Sequence, residues 1–289
     1  MIELSRSLVA HRRLLKELVL RDLKARYVGS SMGFFWSVIF PIINLIVYMY
    51  VFRLILNQRF SDKSSPGETA LWMLAGITAW AAFAETLIRT TNSLVENSNL
   101  IQKVVFPSQL LPVYLIISSL INMLIGVPIV LLGVVYFAYV ADAPVEVASL
   151  ALEEAPVRHL GLGWTILMLP LLMGMQALFS LGLGYFLATL NLFLRDTVHV
   201  VGVLVTVWMF ATPIFYPDVM VKNARDGAFR WVLEVNPMYW LIEAYRDVLL
   251  FATWPEWAML ARFLVVALVV LFLGARFFMS QRYRFADLL

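Results

Sequence analysis

Two ionisable side chains stand inside an otherwise apolar stretch, where their chemistry is unusual. Glu85 lies near the middle of the run 70–92, and Arg89 follows it by one helical turn. An ionised carboxylate in hydrocarbon costs on the order of 3 kcal/mol unless it is paired or hydrated. The spacing therefore predicts an intramembrane ion pair between Glu85 and Arg89, and the alternative is that both groups line a wet conduit.

Basic residues also mark the first 33 positions. At 100° per residue, most leucines of this segment fall on one arc and most of its Lys and Arg residues on the opposite one. The pattern predicts an amphipathic helix lying flat on the membrane surface, with cations such as Arg21 and Lys24 facing lipid headgroups or a phosphate. Asp22 and Arg26 stand on the apolar arc four residues apart, so we expect an ion pair that locks this helix against the first span.

Sequence motifs of self-contained enzymes are missing. The chain has no G-x-x-x-x-G-K-[ST] loop, so it lacks the phosphate-binding element for hydrolysing ATP itself. It has no H-E-x-x-H helix, no G-x-S-x-G elbow and no cysteine, and its three histidines are scattered. We expect no metal site and no cofactor on this chain, and a membrane-embedded enzyme stays open only as an alternative.

The composition places these residues in an all-α integral membrane protein. Of 289 residues, 62% are hydrophobic and 14% charged, the net charge is only +3, and the mean hydropathy is +0.83. These values exclude a soluble domain and give no reason to expect nucleic-acid binding. Apolar runs of about 20 residues, enough to cross a bilayer, predict six spans. They lie at 34–56, 70–92, 110–139, 161–189, 199–216 and 260–279.

Two further features set the predicted topology. Seven Lys and Arg residues precede the first span, and basic residues favour the cytoplasmic side, so both termini are predicted to be cytoplasmic. The stretch 217–259 is half apolar but repeatedly interrupted by charge, so it cannot cross the membrane as one helix.

Aromatic and amide side chains within the spans have two possible roles. Aromatic faces can stack on the C–H faces of sugar rings, whereas interfacial belts explain most Trp and Tyr residues near span ends. Amides can simply join helices by hydrogen bonds. The candidate channel aromatics are Tyr48, Tyr50, Trp80, Phe83, Phe215 and Tyr216, and the predicted interhelical amides are Asn44, Asn122, Gln176 and Asn191.

Four segments, in order, resemble ABC-2 type transporter permeases, especially those that export O-antigen, teichoic acid and related lipid-linked polysaccharides. They are LRDLKARYVGSSMGFFWSVIFPI at 20–42, KVVFPSQLLP at 103–112, TPIFYP at 212–217 and NPMYWLIEAYRD at 236–247. The resemblance implies a homodimer in the bacterial inner membrane, with a channel between protomers. It also implies two copies of a separate ATPase subunit, which would hold ATP and Mg.

The resemblance assigns parts of the chain to this machinery. Residues 1–33 correspond to a cytoplasmic interface helix, 34–289 to a six-helix transmembrane domain, and 217–253 to external re-entrant helices. The segment 96–106 corresponds to a coupling helix that docks into the ATPase. The short loop that contains Arg195 and Asp196 would be the second contact. The implied coupling residues are Glu96, Leu100, Lys103, Phe106, Arg195 and Asp196.

We therefore expect a permease that moves a polyprenyl-pyrophosphate-linked polysaccharide, of O-antigen type, across the plasma membrane. Arg21, Lys24 and Arg26 are the predicted guide for the pyrophosphate. The alternatives are export of capsule polysaccharide, teichoic acid or a small hydrophobic compound, and a membrane-embedded transferase acting on lipid-linked sugars. An importer is disfavoured because no E-A-A signature lies near Glu96.

Overall fold

The computed structural model describes residues 2–27, 35–48, 50–51, 55, 66–103, 106–140 and 159–289. Within these ranges the protein is helical and contains no strand. The α-helices are α1 (Ile2–Ala10), α2 (Arg12–Tyr27), α3 (Phe35–Tyr48), α4 (Pro66–Glu96), α5 (Ser98–Lys103), α6 (Leu110–Val135), α7 (Leu169–Phe193), α8 (Thr197–Ala211), α9 (Asp218–Asn223), α10 (Arg230–Glu234), α11 (Pro237–Leu249), α12 (Trp257–Gln281) and α13 (Phe285–Leu288).

Four helical stretches are long and apolar enough to cross a membrane. They are Gly67–Glu96, Leu110–Tyr139, Trp164–Phe193 and Trp257–Leu288, which correspond to the second, third, fourth and sixth predicted spans. The fifth predicted span contains α8, an apolar helix of 15 residues and so about 22 Å long. The first contains α3, and its residues 34, 49, 52–54 and 56 lie outside the described ranges.

Prolines lie at three positions in these long helices. Pro112 lies in the first turn of α6, and Pro170 lies at the start of α7. A proline is tolerated there because the first turn has no intrahelical acceptor for its missing N–H group. Only Pro128 interrupts the interior of one of the four long helices in the described part of the chain.

The helix α7 forms the centre of the bundle, packed against α4, α6 and α12. Gly182 on α7 and Gly274 on α12 meet so closely that a Cβ on Gly274 would lie 1.9 Å from the Gly182 carbonyl oxygen. Small residues at such a contact let two backbones approach, as membrane helix pairs require. Gln176 behaves as the interhelical amide predicted, because its Nε2 donates to the Ala79 carbonyl at 3.2 Å and its Oε1 accepts from Tyr245 at 2.8 Å.

Two hydrophobic cores follow one another along this bundle, one at the α2 end and a larger one that extends from the middle of α4 and α6 to α11. At the α2 end, Leu18 and Val19 pack with residues from α4, α6, α7, α12 and α13. At the α11 end, eleven of the thirteen residues of α11 are buried against α4, α7 and α12. The short helices α9 to α11 occupy the stretch that the sequence excluded as a single span.

Candidate functional site

Four charged side chains form one network at the α2 end. Asp22 accepts from Arg26 Nε at 3.2 Å and from Arg89 Nη1 at 3.1 Å, and Arg89 Nη2 and Ser118 Oγ also donate to it. Glu85 Oε1 lies 3.2 Å from Arg89 Nη1 and 2.5 Å from Arg26 Nη2. The predicted Glu85–Arg89 contact is thus half of a larger cluster with two positive and two negative charges.

The cluster fastens the amphipathic segment to the bundle. Among the described residues, the partners of Asp22 and Arg26 outside their own helix lie on α4 and α6, and a contact between this pair and the first span stays a prediction. Glu85 of α4 lies beside α2. Burial would raise the pKa of Asp22, but hydrogen bonds from Arg89 and Ser118 and the charges of Arg89 and Arg26 hold it below its ordinary value.

The three predicted pyrophosphate guides differ in their surroundings. Arg21 and Lys24 are exposed on α2, where a phosphate can reach them. Arg26 is half-buried, and its guanidinium already contacts Asp22 and Glu85. A second anion could bind Arg26 only in competition with these two carboxylates.

A cavity of about 730 Å³ begins at this network and lies between α3, α4, α6 and α8. Arg26 and Glu85 line one end, and the wall continues along α4 as far as Leu74, about 16 Å away by helical rise. Its polar wall includes Asn44 and Asn122. Ser119 also lines it, and the Oγ of this fully buried residue has no hydrogen-bond partner among the described residues.

The predicted channel aromatics fall into three settings. Tyr48 and Trp80 line the cavity. Phe215 packs edge-on to Tyr48, with ring centroids 5.4 Å apart, and the half-buried Tyr216 donates to the Phe210 carbonyl. Tyr50 is 57% exposed.

Phe83 does not lie at the cavity. Its side chain is fully buried, stacked on Phe179 at 5.7 Å and edge-on to Trp208 at 5.3 Å. Trp80 also packs against Phe83, at 5.4 Å. Both side chains are thus part of the packed core, and of this pair Trp80, although only 2% exposed, borders the cavity.

The α11 end contains a buried arginine that the sequence analysis missed. Arg246 is fully buried, and its Nη2 donates to the carbonyls of Pro213 and Ile214 at 3.0 and 3.3 Å. Its Nη1 donates to Glu243 at 2.6 Å, and its guanidinium lies 3.1 Å from the ring centroid of Trp72. These contacts tie α11 to α4 and to the TPIFYP segment, so two of the resembling motifs meet at one side chain.

Asn236 makes a second connection at this end. Its Oδ1 accepts from the backbone N–H groups of Met238 and Tyr239 at the start of α11 and from Trp208 Nε1 at 2.9 Å. Its Nδ2 donates to Thr212 Oγ1 at 2.9 Å. The amide thus caps α11 and joins it to the end of α8, which explains the Asn-Pro pair of the NPMYWLIEAYRD motif.

The predicted coupling residues lie together at the α2 end. Glu96 is exposed at the end of α4 and accepts from Asn92 Nδ2 at 2.8 Å. The six-residue helix α5 contains Leu100, which is half-buried, and Lys103, which is exposed. Phe106 packs on the core at this end. Arg195 and Asp196 are exposed on the turn between α7 and α8.

The described residues contain no group of three or more His, Asp or Glu side chains that could hold a metal ion. Among the described residues, four helices are long and apolar enough to cross a membrane, as a multi-pass membrane protein requires. Residues 13–250 match the family model described as ABC-2 type transporter, and the chain belongs to this family.

Two curated relatives are similar over nearly their whole length. The chain is 30% identical over 287 residues, 99% of each protein, to "O-antigen export system permease protein RfbA" of Myxococcus xanthus. It is 26% identical over 270 residues, 93% of this chain and 92% of the relative, to a protein of the same name from Klebsiella pneumoniae.

Proposed function

We propose that this chain is the permease subunit of an ATP-driven exporter, which moves a polyprenyl-pyrophosphate-linked polysaccharide of O-antigen type across the bacterial inner membrane. The observation that carries the proposal is the end-to-end similarity to two permeases named for O-antigen export. The cavity supports a transport role, because it runs along α4 from the charge network and includes hydrogen-bonding groups such as Asn44 and Asn122 among its mostly apolar lining residues.

The proposed topology has six spans, formed by α3, α4, α6, α7, α8 and α12, with the α2 end in the cytoplasm. Residues 1–33 form the interface helix and 34–289 the transmembrane domain. The stretch 217–253 would re-enter from outside and close that side of the pathway, which the short lengths of α9 to α11 support. A homodimer with two ATPase subunits follows from the family resemblance.

The proposed route for the substrate starts at the surface helix. Arg21 and Lys24 attract the pyrophosphate, since both are exposed and cationic. Each such charge near an anionic membrane surface is worth about 1 kcal/mol. The glycan then passes the cavity wall, where the amides of Asn44 and Asn122 can bond hydroxyl groups and the half-buried ring of Tyr48 offers an aromatic face. Arg26 is paired with Asp22 and Glu85, so we do not place it at the first contact with the pyrophosphate.

Co-expression with the candidate ATPase subunit tests this function. In a bacterium deleted for its own permease, the chain and its ATPase should together restore surface polysaccharide, and neither should do so alone. The purified chain should bring the ATPase subunit with it. Sugar transfer by the purified chain without any ATPase would contradict the proposal and favour the transferase.

A further inference from the structure

Residues 285–289 lie between the two turns that are proposed to meet the ATPase. The helix α13 packs against α5 on one side and against the end of α7 on the other. Leu288 and Leu289 line a narrow crevice of about 50 Å³ that separates these elements. One wall of the crevice is formed by Val95 and Ser98. The opposite wall is formed by Asn191, Leu192 and Arg195.

This segment is anchored to the body of the bundle. Phe285 is buried, and its ring is edge-on to Phe278 at 5.0 Å. Phe278 in turn packs on Tyr185 of α7 at 4.7 Å. Arg284 places its guanidinium 5.6 Å from the ring centroid of Phe193. The position of Leu288 and Leu289 is therefore set by α7 and α12.

Polar contacts beside the crevice already join its two walls. Asn191 Nδ2 of α7 lies 3.5 Å from Asn92 Oδ1 of α4, and Asn92 Nδ2 donates to Glu96 Oε1 at 2.8 Å. Asn191, at one end of these contacts, lines the crevice together with Leu288 and Leu289.

We infer that residues 285–289 brace the α4–α5 turn and the α7–α8 turn into one rigid unit, and that this unit, not two separate loops, receives the ATPase subunit. The inference rests on the proposed function. Its consequence is mechanical: a displacement imposed at α5 moves the ends of α4 and α7 together. Leu288 and Leu289 are positioning residues in this scheme and need not touch the ATPase.

Truncation of the two leucines is the first test, in the complete permease–ATPase complex. The Leu288→Ala/Leu289→Ala variant should bind as much ATPase subunit as wild type and melt within about 2 °C of it. Its substrate-stimulated ATP turnover should fall by at least about five-fold, the lower end of ordinary coupling between sites. Leu288→Met/Leu289→Met should restore turnover because it preserves volume.

A matched control removes two leucines that lie exposed on α12. Leu268→Ala/Leu273→Ala deletes the same atoms from positions that are 48% and 58% exposed, and it should leave turnover unchanged. Wild-type ATP turnover in the Leu288→Ala/Leu289→Ala variant would contradict the proposal that residues 285–289 join the two turns. An equal loss of turnover in the control variant would contradict it as well. If the wild-type chain itself supports no ATP turnover with its ATPase, the proposed function fails instead.

Cross-linking is the second test, and it does not depend on how well the alanine variant folds. The chain has no cysteine, so Ser98→Cys and Leu192→Cys create a single pair with one thiol on each wall of the crevice. If both walls move as one body, cross-linking this pair should leave turnover within about two-fold of the reduced protein, which is about 0.4 kcal/mol in the barrier. Turnover that is lost on cross-linking and regained on reduction shows that the walls separate, and overturns the inference.

Discussion

The two ends of the bundle use arginine in different ways. At the α2 end, Arg26 and Arg89 are 18% and 30% exposed and pair with carboxylates from a different helix. At the α11 end, Arg246 is fully buried and donates to backbone carbonyls as well as to Glu243. A carboxylate partner can be exchanged for another anion, whereas a buried carbonyl cannot. The first arrangement suits a contact that opens during transport, and the second suits a permanent support.

Loss of Arg246 should therefore have the largest effect. Arg246→Gln leaves buried carbonyls and the Glu243 carboxylate without their donor, a cost of about 3–5 kcal/mol. We expect little monodisperse protein in detergent by size-exclusion chromatography. Arg246→Lys should not recover it, because one ammonium cannot replace a forked, stacked guanidinium.

Arg262→Gln on the exposed face of α12 is the matched control for this substitution. It should yield as much folded protein as wild type, because exposed positions rarely change stability by more than about 0.5 kcal/mol. If Arg246→Gln folds as well as Arg262→Gln, then the contacts of Arg246 do not hold α11 against α4 and residues 213 and 214.

A glycine beside Arg246 gives the next largest effect. A Cβ on Gly76 would lie 2.7 Å from Arg246 Nη2, so Gly76→Ala must displace the guanidinium. Overpacking of this kind costs about 1–3 kcal/mol. Gly202→Ala, where nothing lies within 4 Å, should be neutral or slightly stabilising. Melting temperatures of the two variants test this difference, and equal values would show that Arg246 tolerates displacement.

The charge network at the α2 end should respond more weakly. Asp22→Asn removes the charged partner of Arg26 and Arg89, and we expect a loss of about 1–2 kcal/mol because the cluster is partly hydrated. The loss should be local, so protease should cleave α2 faster while the melting temperature of the bundle changes little. Asp22→Glu keeps the charge and should be cleaved at close to the wild-type rate, and cleavage of Asp22→Glu as fast as that of Asp22→Asn would contradict the role given to this charge.

A pH titration gives the smallest and most specific effect. The pKa of Asp22 lies below its ordinary value of 3.8, so its stabilising contribution is complete above pH 3.8 and is lost as the pH falls through the lower, folded value. A fluorescent label on α2 should report no release from about pH 7 down to about pH 4, and release below that. Asp22→Asn should abolish the pH step, and a step near neutral pH would point to another group.

The sequence predicts local contacts better than partners between helices. The i to i+4 spacing indicates both Asp22–Arg26 and Glu85–Arg89, and both contacts exist. That the two pairs merge depends on how α2 packs against α4, which no local spacing determines. Trp80 and Phe83 show the same limit, since they are three residues apart on α4 and only one borders the cavity.

Arg246 escaped prediction for a related reason. In an amphipathic stretch that cannot span the membrane, an arginine indicates a surface position, because arginine is rarely fully buried without partners. Its carbonyl partners belong to residues 213 and 214, which come from a distant part of the chain. The sequence held two signals: Glu243 stands three residues earlier, a spacing at which the two side chains can pair, and Arg246 lies in the NPMYWLIEAYRD motif.

Transport by the purified components tests the central claim most directly. Proteoliposomes containing this chain and its ATPase subunit should move a polyprenyl-pyrophosphate-linked glycan to the opposite leaflet only when ATP is supplied on the side of the α2 end. Liposomes with the chain alone should move none. Movement without the ATPase, or movement driven by ATP from the other side, would contradict the account.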